Sequence, residues 1–315
     1  MKQTDSRIAS RVKLVGALAF VVLGFTSFNG TGAGGSVPPR VPVRVAGLIP
    51  PDAVIALSAA TGGSVQNVTY VGSLGIVEAM RNSSVQFGAI TSDAAYLAFT
   101  GRLDESDGRF EALRGITVLD LKTIHLMVGK HTRARSLAEL RGLNVSLGPE
   151  GTGTSLVSKI LLDANGLTLA DIEEEYVANP DAVGRLAAGQ LDAAFMPMVA
   201  PSVEAASAAR SGARMLEIAG PEVEALRLQH PFLLRTRLPG RTYPGQHNVV
   251  PTIAVDLLLV CRADADELVV YNFLQSYFSA LARTTAVTDL GRATGMSIPL
   301  HAGAARYYRE RELSR

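Results

Sequence analysis

The chain has almost no net charge, one cysteine and few aromatic residues, and each scarcity excludes something. Thirty basic side chains against 29 acidic ones leave a formal charge of +1. No basic run has aromatics interleaved, so nothing here builds the concentrated positive surface that nucleic acid requires. Cys261 has no second cysteine to pair with, and its place in an apolar run reads as a buried, inert thiol. His125, His131, His230, His247 and His301 have neither metal-ligand spacing nor clustered acids or cysteine around them. No metal and no other cofactor is therefore expected. A Gly-x-Ser-x-Gly elbow is absent and no carboxylates pair at evident strand ends, so the chain does not read as an enzyme.

What is present is small and apolar. A hydrophobic share of 47% with 30 glycines suits alternating strands and helices, and 315 residues have room for two ordinary domains. At the N-terminus, Lys2, Arg7, Arg11 and Lys13 precede an apolar run over residues 14–25. That is a secretory signal pattern, short for a membrane span. Residues 1–35 are read as a signal peptide or an uncleaved anchor, with a Gly- and Pro-rich tether over residues 29–42. The remainder is expected in a periplasmic or other extracytoplasmic space.

Strands are expected at Val43–Ala46 and at residues 65–71, 85–90, 123–128, 144–147, 191–196 and 252–260. Helical patterns fall between them: residues 54–60, one from Gly72-Ser73 onward, one from Asp93, one after Ser155, and residues 181–188 and 268–282. Ser136 and Glu139 make a capping box for a further helix. Glu173-Glu174-Glu175 reads as a solvated helix end. This alternation predicts a mainly parallel α/β sheet covered on both faces.

The most informative stretch is Gly148-Pro149-Glu150-Gly151-Thr152-Gly153-Thr154-Ser155. It follows an apolar strand and runs into a helix, aiming unpaired N–H groups and hydroxyls at one small volume suited to an anion. Gly148, Gly153 and Ser155 match a phosphate-binding loop, but Thr154 stands where its lysine must be. Nucleotide hydrolysis is thereby disfavoured, leaving anion capture or a Gly-rich turn that only caps a helix. Gly72-Ser73 with the strand after it repeats the same plan, so two helix starts are expected to face a shared cleft.

Further markers stand around these two units: Ser92 to Phe99, Gly189-Gln190-Leu191-Asp192-Ala193 with Phe195, Leu238-Pro239-Gly240-Arg241-Thr242-Tyr243-Pro244-Gly245, and Ile298-Pro299-Leu300-His301-Ala302-Gly303-Ala304 with Tyr307-Tyr308. In this order the chain resembles the solute receptors of tripartite ATP-independent periplasmic (TRAP) transporters, specifically the TAXI subfamily, from about Val43 onward. The resemblance implies a two-lobed flytrap periplasmic binding protein of type II. Lobe 1 would comprise residues 41–125 and 258–315, lobe 2 residues 126–257, with two hinge strands crossing between them. It implies a monomer that captures a glutamate-like or dicarboxylate anion and delivers it to TRAP permease subunits driven by an ion gradient. The ligand-facing positions it implies are Ser73, Thr91, Ser92, Asp93, Tyr96, Thr152, Gly153, Thr154, Ser155, Pro197, Met198, Val199 and Tyr243. Donors from the two helix starts can offset one or two carboxylates without a dedicated arginine, and Arg102 or Arg241 could add to them.

The chain departs from that family in three places. Gly47-Leu48-Ile49-Pro50-Pro51-Asp52-Ala53 replaces a Gly-rich loop with paired aromatics, Thr91 replaces a Gln, and Val199 a Gly. Asp93 itself reads as a helix cap or structural acceptor, since an anion receptor has little use for an unpaired carboxylate. Thr152 and Thr154 either donate to a ligand or cap their own helix. Tyr96 is a cleft wall, a core ring or a surface ring, and His301 holds the C-terminal segment in place. The rival readings are a membrane-tethered sensory module and an enzyme on a similar scaffold.

Overall fold

The computed structural model describes residues 42–103, 108–282 and 290–313. The leader expected at residues 1–35, and the tether up to residue 41, lie outside the described residues. The chain alternates β1 (Val43–Ala46), α1 (Pro51–Thr61), β2 (Val65–Val68), α2 (Gly72–Arg81), β3 (Phe87–Thr91) and α3 (Ser92–Thr100) before the long strand β4 (Leu113–Val128). Then come β5 (Asn144–Ser146), α4 (Gly153–Ala164), β6 (Glu173–Glu175), α5 (Asn179–Ala188), β7 (Ala193–Met198), α6 (Val203–Arg210), β8 (Arg214–Leu216), α7 (Pro221–Gln229) and β9 (Leu234–Leu238). A second long strand, β10 (Val250–Arg262), leads to α8 (Glu267–Leu281), α9 (Leu290–Thr294) and α10 (Ala302–Leu313).

The strands form one sheet in the order β2-β1-β3-β10-β4-β7-β5-β6, with β8 beside β4 and β9 beside β10. Its two ends are parallel, β1 with β2 and β3, and β5 with β6 and β7. Its centre is antiparallel, because β4 and β10 run side by side from Ala254↔Thr123 to Arg262↔Leu113. The expected mainly parallel sheet therefore holds only at each end. The first part of β4 and the last part of β10 serve one half of the molecule. Their opposite ends serve the other, where β4 pairs with β7 and β8 and β10 pairs with β9.

The strand expected at residues 123–128 is thus the end of a longer one that begins at Leu113. Its earlier part hides from a period-of-two reading because the pairing with β10 slips twice, between Leu257 and Leu258 and between Leu259 and Val260. Each slip leaves an extra β4 residue, Leu119 and then Ile116, breaking the in–out alternation. Two further expectations fail. Glu173–Glu175 is the edge strand β6, with Glu175 paired to Arg185 at 2.8 Å. Ser136 and Glu139 introduce only the 3-10 turn Leu137–Leu140, since the Ser136 hydroxyl bonds the Glu139 carboxylate (3.2 Å) instead of capping backbone.

Strand alternation distributes the core. Leu259 and Cys261 face one side of β10 with Leu57, Phe273 and Tyr308, while Leu258 and Val260 face the other with Ile76, Met80 and Ile90. In the second half, Leu126 and Val128 of β4 join Leu161 and Phe195, and Met127 points oppositely toward Leu186 and Met196. Cys261 is buried, and burial pushes its thiol pKa up, as expected of an inert thiol. His301 donates from Nε2 to the Ala265 carbonyl (3.1 Å) and accepts at Nδ1 from the Gly303 N–H (3.2 Å), tying α10 to the loop before α8.

A buried polar chain stitches the second half. His125 Nδ1 lies 2.9 Å from the Thr123 carbonyl, which can only accept, so Nδ1 carries the proton. Nε2 then accepts from the Tyr243 hydroxyl at 2.8 Å, and that oxygen accepts from the Ser202 N–H at 3.0 Å. Burial lowers the His125 pKa, in keeping with a neutral ring. Tyr243→Phe would leave a buried donor and a buried acceptor unmade. It is expected to cost about 1–3 kcal/mol, measured by denaturant unfolding. A loss near zero would mean that the hydroxyl is replaceable.

Candidate functional site

Three helix starts converge at the middle of the sheet. Helix α2 begins at Gly72, α3 at Ser92 with Thr91 as its cap, and α4 at Gly153 with Thr152 as its cap. Ser73 binds β3 to α2: its Oγ accepts from the Thr91 N–H (3.1 Å) and lies 3.2 Å from Thr91 Oγ1. Thr152 is committed to its own loop, donating to the Pro149 carbonyl (2.6 Å) and accepting from the Ser155 N–H (3.4 Å). The self-capping role weighed for Thr152 is therefore seen directly. Ser155 turns back in the same way, donating to the Thr152 carbonyl at 2.9 Å.

Missing side chains allow this approach. A Cβ on Gly72, whose φ is +61°, would lie 2.7 Å from the Thr152 methyl carbon. A Cβ on Gly153 would lie 2.4 Å from both Asp93 Oδ2 and Thr91 Oγ1. Thus the first residue of α4 rests against the first turn of α3, with the Asp93 carboxyl between them.

Asp93 is fully buried, and neither carboxyl oxygen makes a well-formed hydrogen bond. Burial pushes its pKa up, and this outweighs the nearby Thr91 hydroxyl and Ala94 N–H, which pull it down. The expected cap is not made: Thr91 is the N-cap of α3, no side chain caps the backbone there, and Asp93 lies in the first turn without the bonds of a satisfied acceptor. Of its surroundings, α4 supplies the positive end of a helix.

Beside this point opens a cavity of about 430 Å³, within the range of small-ligand sites. Its polar wall includes Ser73, Thr91, Thr154, Asn67 and Lys122, and its apolar wall includes Leu48, Val68, Ile76, Pro197 and Leu257. Lys122 comes from β4, Leu257 from β10, Ser73 from α2 and Thr154 from α4, so both halves contribute. A larger cavity, about 600 Å³, lies along β9 between Ile218 and Arg237. It is lined from the second half alone, and its Glu224 is engaged by Arg227 and Arg235 at 2.7 and 2.6 Å. A movement of the halves relative to each other would act on the first cavity and not on the second.

Of the expected site residues, the cavity gathers Ser73, Thr91, Thr154 and Pro197. Asp93, Thr152, Gly153 and Ser155 stand directly behind its wall. Ser92 is buried, accepting from the Asp256 N–H (3.1 Å) and reaching the Phe232 carbonyl (3.4 Å). Tyr96 is a core ring, 5.5 Å from Phe232. Met198 pairs with Thr123 in the sheet, Val199 is exposed, and Tyr243 belongs to the His125 chain. Neither Arg102 nor Arg241 reaches the cavity. The cation there is Lys122, which sequence reasoning missed, although a lysine enclosed in Leu121-Lys122-Thr123-Ile124 was a signal: a charge inside an apolar strand. Among the described residues it has no ion-pair partner, and no group of His, Cys, Asp and Glu could hold a metal ion. The replaced loop still reaches the site through Gly47 and Leu48.

The profile described as the NMT1-like family matches residues 30–311. A solved structure described as a periplasmic transporter is 16% identical over 88% of this chain and 94% of its own, with a TM-score of 0.52. A protein of Bordetella bronchiseptica RB50 is 12% identical over 87% and 99%, with a TM-score of 0.51. The alkanesulfonate-binding protein SsuA of Xanthomonas axonopodis pv. citri, solved with bound MOPS, is 15% identical over 85% and 83%, at 0.46. The likeness is one of fold: an α/β, two-lobed periplasmic binding architecture with two long strands common to both lobes.

The buried Asp93 yields a pH test. Because its folded pKa is raised, the folded protein holds that proton more tightly than the unfolded chain does. The stability this supplies is full below the unfolded value of about 3.9 and is lost as pH rises through the folded value. Asp93→Asn is expected to gain melting temperature relative to wild type as pH rises from about 4 toward neutrality. A difference that does not change with pH would show that the carboxyl ionises freely in the fold.

Proposed function

The chain belongs to the NMT1-like family, and from that membership and its cleft we propose that it is an extracytoplasmic receptor for a small organic anion. The observation that carries this reading is Lys122, a cation with no ion-pair partner among the described residues, in a cavity walled from both halves of the sheet. The ligand's anionic group sits at Lys122 with the Thr91 and Thr154 hydroxyls in reach, and its apolar part lies on the Leu48, Ile76 and Leu257 side. The lobes are residues 41–125 with 258–315, and residues 126–257. Strands β4 and β10 are the hinge. A ligand that touches both lobes only when the cleft is shut favours the closed state by its differential affinity.

The closed receptor presents its outer face to a membrane permease, which takes the solute. The resemblance to TAXI receptors makes a TRAP permease the partner and a glutamate-like or dicarboxylate anion the first ligand class to try. The signal pattern at residues 14–25 places the protein outside the cytoplasm, cleaved or anchored. Of the groups that could serve catalysis, Cys261 is buried in lobe 1 and His125 is held by Tyr243, and neither is among the residues that line the cleft.

Thermal unfolding against organic acids, amino acids and neutral solutes tests the reading. A ligand at about 100 times its dissociation constant stabilises the fold by about 2.7 kcal/mol. Lys122→Met is expected to weaken that ligand by roughly 10- to 100-fold, the worth of one charge-assisted hydrogen bond. A panel in which no solute raises the melting temperature would overturn the receptor assignment.

A further inference from the structure

The charges around the cleft are few and unequal in position. Lys122 lines the cavity, and the wall between the cavity and the core holds one carboxyl, Asp93. A helix start with nothing against it attracts an anion through its unpaired N–H groups and partial positive charge. The start of α4 is not open in that way. Asp93 already lies there, so close that a Cβ on Gly153 would stand 2.4 Å from Oδ2 and 3.0 Å from Oδ1. Both oxygens are buried and unpartnered. The protein's own carboxyl therefore stands against the first residue of α4, beside the place that the Gly/Thr loop offers to a ligand.

We infer that the cleft selects solutes with a single anionic group, seated at Lys122 with an apolar remainder against Leu48, Val68, Ile76 and Leu257, and that Asp93 excludes a second anionic group from the α4 start. This rests on the receptor reading and narrows its ligand class away from dicarboxylates. A second carboxylate near α4 meets the Asp93 carboxyl at close range, and two such groups share a site only when one holds a proton. The groups facing Asp93 are the Thr91 hydroxyl and Ala94 N–H from the start of α3 and Gly153 from α4. The charged residue nearest this set on the cavity wall is Lys122, from β4. At a pH where Asp93 is ionised, dianion binding is thus coupled to proton uptake there, and monoanion binding is not.

The test uses matched straight-chain pairs, pentanoate with glutarate and hexanoate with adipate, titrated calorimetrically into the full protein at about pH 6.5 and about pH 8.5. Wild type is expected to prefer each monoacid by at least about tenfold, and more at the higher pH. Asp93→Asn is expected to bring the diacid up by at least about tenfold, leave the monoacid within about twofold, and abolish the pH dependence of the ratio. Asp93→Ala serves in the same way should the Asn variant fail to fold. A carboxyl with only a structural role would alter melting temperature and leave the ratio alone, which would overturn the inference. So would a wild type that binds the diacids as well as the monoacids. If none of these acids binds but a neutral or cationic solute raises the melting temperature, the inference and the anionic ligand class fall and the receptor role alone stands. If no solute of any charge does so, both fall.

Discussion

A buried carboxyl held between two helix starts is the contact on which the arrangement of the cleft depends. Asp93 comes from the half built on β1, β2 and β3, and Gly153 begins the helix that covers the other half. They touch because residue 153 has no side chain. Gly72 makes the companion contact with Thr152 for the same reason. Where a backbone meets its neighbours this closely, a single methyl group would push them apart by a fraction of an ångström or more, and the cavity wall beside them would shift with it. The electrostatics follow from that packing. A carboxyl taken from water and given no full hydrogen bond resists ionisation, and its partial compensation comes from the Thr91 hydroxyl and the Ala94 N–H at the start of α3.

The second constraint is the pair of long strands. Because β4 and β10 each belong to both halves, the halves are joined by hydrogen-bonded sheet and not by a loose linker. Their two register slips fall in the part of the ladder from Leu257 to Val260. Bulges bend and twist the strand that carries them. Lys122 and Leu257, which line the cavity, stand just before the first of these slips along the ladder. Tyr96 and Leu97 of α3 add a hydrophobic fastening, packing on the core that contains Phe195 and Phe232.

Much of the α/β order was legible from local patterns. Helices α2, α4, α5 and α8 stand where apolar spacing placed them, ending at Arg81, Ala164, Ala188 and Leu281. The Gly/Thr loop was recognised as the approach to a helix start, and it is one. Ser73, Thr91, Thr154 and Pro197 were named for the cleft and line it. The errors came where pattern is degenerate. Three glutamates are compatible with an exposed helix end or an exposed edge strand, and only pairing with β5 chose the strand. Ser136 and Glu139 match a capping box in letters while their side chains bond each other.

What the sequence determined by itself is therefore what short-range chemistry determines: which segments are strands or helices, where helices begin, and that a Gly/Thr loop would present donors. These depend on residues a few positions apart, through turn geometry, capping and apolar period. Tertiary structure decided which groups meet. It placed Asp93 against Gly153, 60 positions along the chain by their numbers, setting the protein's own carboxyl beside the start of α4. It brought Lys122 to the cavity in place of the arginines, because strand pairing fixes which side chains share a face. It also gave the Tyr243 hydroxyl to His125 and Ser202. Proximity across such separations is set by sheet order and helix packing, which no local pattern encodes.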